Sequence, residues 1–522
     1  MKLADPIHRV ATCVLITLLA TSVALAQSNK ASAKDDKTVK AEHGMIGAGP
    51  EKATEHTDHP DAQWFPDAAF GLFLHWDISS VRAMNISWPM IPGRALSTKR
   101  IDDPAERERI IRDQDWNLKG TKPEITPLEY WEQAKQFNPQ NFDPEKWMKA
   151  AKAAGFKYVV LTTKHHGGFA LWPSKYGNFN TKTYMGGRDL VKEYVEACRK
   201  NGLKVGLYFS GPDWHFDQDY FSFLYHGARK TNPEFPNLGP DLKPRQEKHS
   251  KEEIEKHQAE YAAMVKGQVE ELLTNYGKID LLWFDGKPSI EGGDKAITLE
   301  RIRELQPGIV VNPRMHGKGD FITYERNLKT DKIATTWAEF CNTWAGNWSY
   351  VEQPMKANGY VLGELARARS LGVNYLLGIG PMKTGDLSPD HYKNMAIVAD
   401  WMKTNGESIH SARPLPNGES ASVPATASAS ARYLFAIPEF KDKGSYEKDQ
   451  LPPQDVTLSI KGITKPTAVK LLSDGSTLAF DATGGKVTVQ LPAAKRSNLV
   501  DVVKIELPET GTDKPAGSTS TD

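Results

Sequence analysis

The chain has 522 residues, 39% of them hydrophobic and 25% charged, with 66 Lys and Arg against 65 Asp and Glu. That length exceeds one ordinary core and asks for two domains, or for a barrel of about 250–350 residues carrying insertions. A formal charge of +1 leaves no basic footprint, which argues against nucleic acid as the main partner.

At the start, Lys2 and Arg9 frame an apolar run over 10–20, and small residues end in Ala24-Leu25-Ala26 before Gln27. Residues 1–26 are expected to be a secretory signal peptide, the run being too short and too early for a membrane span. Export to the periplasm or beyond the cell follows, and no other stretch reaches spanning length. Removal would take Cys13 and a net charge of +1, leaving a neutral chain with Cys198 and Cys341, which is no disulfide framework. Residues 27–60 are rich in Lys, Asp, Glu and Gly and are expected to form a disordered leader.

Over 61–410 a unit repeats: a short apolar run, a turn, then an amphipathic helix. Strand-like runs fall at 70–76, 158–163, 205–209, 279–284, 309–311, 335–337 and 375–379. Helical patterns between them include 143–154, 188–201, 252–276 and 299–305. Continuous apolar strands alternating with helices mean a parallel sheet buried on both faces. Seven runs, with one more yet to be found, close a (β/α)8-like TIM barrel; no G-x-G-x-x-G follows the first run to favour an open doubly wound sheet. The texture then changes. Residues 411–430 read as a linker or strand-poor loop, and short runs at 433–437, 456–460, 468–472, 487–491 and 502–507 indicate a C-terminal antiparallel β-sandwich over 411–510. It has no Trp and is expected to be a stabilising appendage, followed by a disordered tail over 511–522.

Polar residues collect where the strands end. His75, His165, His166, Asp213, Asp285, Arg314 and Glu339 each fall at or just past the C-terminal end of a strand-like run. In a barrel those ends open on one face, so residues far apart in the chain converge there. Any one of them is as well explained as a loop residue; the recurrence carries the argument. Asp285 ends Leu281-Leu282-Trp283-Phe284 and precedes Gly286, which lets the backbone turn at once. Its type and position fit a nucleophile, a metal ligand or a helix cap. Gly167 and Gly168 break the strand after His165-His166, so both imidazoles can reach one pocket. A His and Asp cluster also suits a divalent metal. Neither H-x-H nor H-x-x-x-H spacing occurs, however, and neutral imidazoles bind sugar hydroxyls equally well, so neither metal nor cofactor is expected. Thirteen Trp offer flat apolar faces for a sugar ring, most of them still belonging to the core.

Six motifs stand out in order: Phe70-Gly71-Leu72-Phe73-Leu74-His75-Trp76, the stretch 158–169 with Leu171-Trp172-Pro173-Ser174-Lys175, Arg188-Asp189-Leu190-Val191, Gly206-Leu207-Tyr208-Phe209-Ser210, 282–286 and 374–381. Together they resemble glycoside hydrolase family 29, the α-L-fucosidases. Trp401 and Asn405-Gly406-Glu407 follow, and the match runs in order from about residue 64 to 414. The resemblance implies a barrel with a C-terminal β-sandwich, no metal, and retaining hydrolysis of terminal α-L-fucosyl residues on a fucosylated oligosaccharide or polysaccharide. By position Asp285 resembles the nucleophile. His75, His165, His166 and Arg314 resemble fucose-binding side chains, and Trp88 and Trp214 join the expected substrate-binding set as apolar walls for the C5 methyl.

The general acid/base falls to one of two glutamates. Glu325, in Asp320-Phe321-Ile322-Thr323-Tyr324-Glu325 after Asn312-Pro313-Arg314, resembles an Asn-x-Arg…Asp-Phe-x-Thr-x-Glu frame. Glu339, in Trp337-Ala338-Glu339-Phe340-Cys341, resembles a Trp-Glu-x-Cys segment. The longer match favours Glu325, read as a loop residue; strand-end rigidity favours Glu339. Glu325 is the preferred assignment. Three departures stand out: Asp77 where the family has glycine, Gly167 where it has aspartate, and Ser87-Trp88-Pro89 for an acidic-Trp-Tyr segment. They keep alternatives in play, namely an altered sugar-binding protein, a glycosidase for a related L-sugar, or, further off, a metal-dependent amidohydrolase-like barrel. Oligomeric state carries no signal.

Overall fold

Eight strands, all but the sixth buried almost end to end, form one curled parallel sheet. They are β1 (Phe70–Leu74), β2 (Tyr158–Lys164), β3 (Lys204–Ser210), β4 (Leu281–Asp285), β5 (Val310–Val311), β6 (Ile322–Glu325), β7 (Ala338–Thr343) and β8 (Asn374–Ile379). The computed structural model describes residues 39–40, 42–48, 56–246, 248–290, 295–328 and 330–508. The expected signal peptide, the leader over 27–38 and the tail lie outside the described residues.

The strand order is β5-β4-β3-β2-β1-β8-β7-β6, which is chain order around a barrel parted between β5 and β6. The circuit passes through the β1–β8 pair, where Phe70 lies beside Tyr375. No ladder joins β5 to β6 among the described residues. Asp320 spans that seam instead: its N–H donates to the Val311 carbonyl (2.7 Å), and its carboxylate accepts from Val311 N (2.8 Å) and from Arg303 (2.7 Å).

Two strand assignments need correction. The run expected at 335–337 begins three residues later, because Trp337 stacks on His56 (ring centroids 4.1 Å apart) and packs on Phe65 while its carbonyl accepts from Ile322 N (2.9 Å). Glu339 is therefore the second residue of β7, at the N-terminal end and not the C-terminal end. The missing eighth strand is β6, and Glu325 is its last residue, on the scaffold and not on a loop.

Helices follow their caps. Asp143 accepts from Glu145 N and Lys146 N to start Pro144–Ala153, Asp189 caps Leu190–Lys200, and Ser250 with Glu253 forms a reciprocal capping box on Lys251–Thr274. Beyond the barrel, a five-stranded and a four-stranded antiparallel sheet enclose their own core of Leu434, Leu458, Ile460, Val469, Val489, Leu491, Val503 and Ile505. The stretch read as a linker supplies three short strands of this sandwich, Arg413–Pro414, Ser420–Ala421 and Ala425–Ala427. The indole of Trp401 ties the two parts together through Val500 O (2.7 Å). The leader also departs from expectation. Residues 42–45 are helical, Ile46 N donates to Glu42 O (3.1 Å), and Glu42 and Ile46 are buried against the barrel.

Candidate active site

Strand ends of β1 to β6 meet over a pocket of about 30 Å³ whose walls include His75, His165, Tyr208, Asp285, Arg314 and Glu325. Asp285 closes β4. Its Oδ2 accepts from Tyr208 Oη (2.8 Å) and its Oδ1 from Arg314 Nη1 (3.0 Å). The other arm of the same guanidinium, Nη2, donates to Glu325 Oε2 (2.8 Å), so one cation spans both carboxylates. Arg314 itself lies over the Trp283 ring at 4.6 Å. Burial disfavours the charge on Glu325, but Arg314 and a hydrogen bond from His43 outweigh it and hold the carboxyl well below its usual range.

The histidines are neutral. Burial pushes His75 down to about 3 and His166 to about 4, and lowers His165 as well, with His166 and His75 adding to the effect there. Two serines hold their rings, and one of them assigns a tautomer. Ser210 Oγ donates to the Pro212 carbonyl (2.5 Å), so it can only accept from His166 Nδ1 (2.7 Å). That leaves His166 Nε2 a bare acceptor, buried, without a hydrogen-bond partner, and 3.5 Å from Asp285 Oδ2. Ser87 Oγ accepts from Gly167 N (2.7 Å) and lies 2.7 Å from His165 Nδ1, which fixes the orientation of that ring beside the pocket. Two acceptors facing each other, at His166 and Asp285, call for a donor such as a sugar hydroxyl between them.

The remaining candidates sort by position. Trp88 lines the pocket with Phe73, Trp283 and Trp348. Trp214 stands behind the pocket wall, its ring 5.0 Å from His166 and 5.5 Å from Trp88. Asp213 is turned away and takes the buried Lys164 ammonium at 3.0 Å. Glu339 has no exposed surface, accepting from Tyr158 Oη (2.6 Å) and Trp283 Nε1 (2.9 Å) inside the barrel. Sequence reasoning missed Tyr208, Ser87, Ser210 and His43. Tyr208 carried a signal: it lies two residues before the end of β3, on the same side as Ser210.

The three departures form one contact set. Tyr130 Oη donates to the buried Asp77 carboxylate (3.1 Å), and a Cβ at Gly167 would meet both Ser87 Oγ and Tyr130 Cε1 at 3.0 Å. An aspartate at 77 and a glycine at 167 are therefore compatible with each other, and Ser87 fills the space next to His165. His165, His166 and Asp285 also place one ligand atom each within 4.8 Å, but Arg314 already supplies a positive charge to Asp285.

A family model for alpha-L-fucosidase matches residues 47–407. Human tissue alpha-L-fucosidase is 29% identical over 377 residues, covering 68% of this chain and 70% of its own. Alpha-L-fucosidase isoenzyme 1 from Paenibacillus thiaminolyticus superposes with a TM-score of 0.62 at 28% identity, over 86% of this chain and 99% of that one. An alpha-L-fucosidase from Bacteroides thetaiotaomicron shares the fold with a TM-score of 0.64 at 24% identity, over 88% and 98% of the two chains. With that match across most of the barrel and paired carboxylates at its C-terminal rim, the chain belongs to the α-L-fucosidases, glycoside hydrolase family 29.

Proposed function

We propose that the protein is an exported, retaining exo-glycosidase that removes terminal α-L-fucosyl residues from glycans by double displacement. The observation that carries this reading is Arg314 reaching Asp285 and Glu325 at once, beside an unpartnered His166 nitrogen. Retention requires two carboxyls about 5–5.5 Å apart, and a shared guanidinium holds such a pair close. Asp285, ionised and aimed by Tyr208 and Arg314, attacks the anomeric carbon as the glycosidic C–O bond breaks, and Glu325 passes a proton to the departing oxygen. Glu325 then takes a proton from water as that water attacks the same carbon and frees Asp285. His75, His165 and His166 hold ring hydroxyls, while Trp88, Trp283 and Trp348 meet the apolar methyl and ring face. Export rests on the charged start, apolar run and Ala24-Leu25-Ala26 of residues 1–26.

The test is release of 4-nitrophenol from its α-L-fucoside, with the anomer of the freed sugar followed by NMR and with chelator added. Hydrolysis with retention, unchanged by chelator, is expected. The ligand atoms of His165, His166 and Asp285 favour one second reading, a metal hydrolase. Stoichiometric zinc or manganese, with activity lost on its removal, would install it. Fucose binding without turnover would mark a sugar-binding protein instead.

A further inference from the structure

The catalytic pocket is filled from within. Its volume of about 30 Å³ suits water, far below the roughly 300–1,000 Å³ of ordinary ligand sites. Glu42, His43 and Ile46 supply the missing bulk. His43 Nε2 lies 3.0 Å from Glu325 Oε2, the same oxygen that Arg314 holds, so the face of the acid that should meet a glycosidic oxygen is covered. The Ile46 carbonyl accepts from Lys287 N (3.0 Å), two residues beyond Asp285. Gly286 between them has φ +75°, and a Cβ there would stand 2.1 Å from that carbonyl, so only glycine permits the approach. Glu42 pairs with Arg94 (2.6 Å), whose guanidinium lies 5.2 Å over Trp88. One segment thus touches the acid, the nucleophile's strand and the Trp88 loop. On its far side Gly44 and Met45 wall off a second groove of about 550 Å³.

We propose that residues 42–46 are an internal occupant of the leaving-group side of the catalytic pocket, displaced when a fucosylated glycan enters, so that the pocket and the neighbouring groove become one site. The proposal rests on the assignment of Asp285 and Glu325 above. With the segment seated, Glu325 is held as a carboxylate by Arg314 and His43, the wrong form for protonating a leaving group; withdrawal of His43 removes one of those two restraints.

The experiment compares kcat/KM for a chain starting at Gln27, a chain starting at Pro50, and the Gln27 chain carrying Glu42→Arg, which sets a cation against Arg94. Substrates are an aryl α-L-fucoside and a fucosylated trisaccharide. A site open for about a tenth of the time gains about tenfold when its occupant is removed. The Pro50 chain is expected to gain about that much, and Glu42→Arg less but in the same direction. Should the truncation fold poorly, Glu42→Arg decides alone. Hydrogen exchange of the Gln27 chain gives a second reading: an excess of an uncleavable, thio-linked fucosyl disaccharide should speed exchange at the Ile46 and Ala48 amides, which bond to Glu42 and His43 carbonyls. Variants no faster than the Gln27 chain, or added protection of those amides, would overturn the occupant. No turnover and no fucose binding in any of the three would instead overturn the enzyme reading itself.

Discussion

Glu325 and Glu339 occupy neighbouring strands, two rungs apart, since Thr323 faces Glu339 and Glu325 faces Cys341 across the β6–β7 ladder. Both are buried glutamates with short hydrogen bonds, yet their surroundings differ in kind. Glu339 sits low in the barrel with a phenol and an indole as donors and no exposed surface. Glu325 stands at the rim with a guanidinium and an imidazole as donors, facing the pocket. Height along the barrel axis, more than residue type, sets the surroundings of the two carboxylates apart, and a barrel's functional face is the one where Glu325 stands.

That contrast can be broken at several points. The largest effect is expected at the rim's other carboxylate: Asp285→Gly should lower kcat by about 10⁴-fold or more, with azide restoring some turnover as the inverted β-fucosyl azide. Near-normal kcat would remove Asp285 from the reaction. Next, Glu325→Ala should lower turnover of a natural disaccharide by about 10²–10⁴-fold and that of an activated aryl fucoside far less, with azide giving the retained α-fucosyl azide. Glu339→Ala should instead lose the same factor on both substrates and destabilise the fold by about 1–3 kcal/mol for each stranded donor, read from the urea midpoint. Leaving-group dependence in Glu339→Ala alone would invert the comparison.

The rim should also sense acid. With His75 at about 3 and His166 at about 4, the folded state stays neutral where the unfolded chain, titrating near 6.5, takes up protons. Their contribution is fully present above pH 6.5 and is lost as pH falls from there toward 4 and below. Urea midpoints at pH 7 and pH 5 should show this, with a shallower fall in His166→Asn; the phenol and indole around Glu339 do not titrate in that window. The smallest effect belongs to Ser210→Ala, which frees the His166 tautomer. A hydrogen bond of about 1 kcal/mol predicts a loss of about fivefold in kcat/KM, carried by KM, with a changed imidazole ¹⁵N spectrum; an unchanged spectrum would dissolve the tautomer assignment.

Much of this rim was legible because a barrel puts its chemistry at strand ends, and Asp285, His75 and His165 end runs too apolar to mistake. β6 escaped because Ile322-Thr323-Tyr324-Glu325 alternates, with only Thr323 and Glu325 buried, as befits a strand beside a seam. β7 was misplaced because Glu339 and Asn342 interrupt an otherwise apolar run, and their partners come from distant strands. The covering segment left still less trace: Glu42, His43 and Ile46 look like leader sequence until Arg94, Glu325 and Lys287 are beside them. Pairings across the fold have no local periodicity to betray them.

The seam between β5 and β6 divides the two proposed catalytic carboxylates. Asp285 stands on one bank and Glu325 on the other, and among the described residues no ladder joins β5 to β6 directly. Arg314 above and Asp320 below act as two clasps across that gap. The direct link between Asp285 and Glu325 across the seam is thus the Arg314 guanidinium and not a strand pairing, so shortening that side chain would remove the link with every ladder left in place.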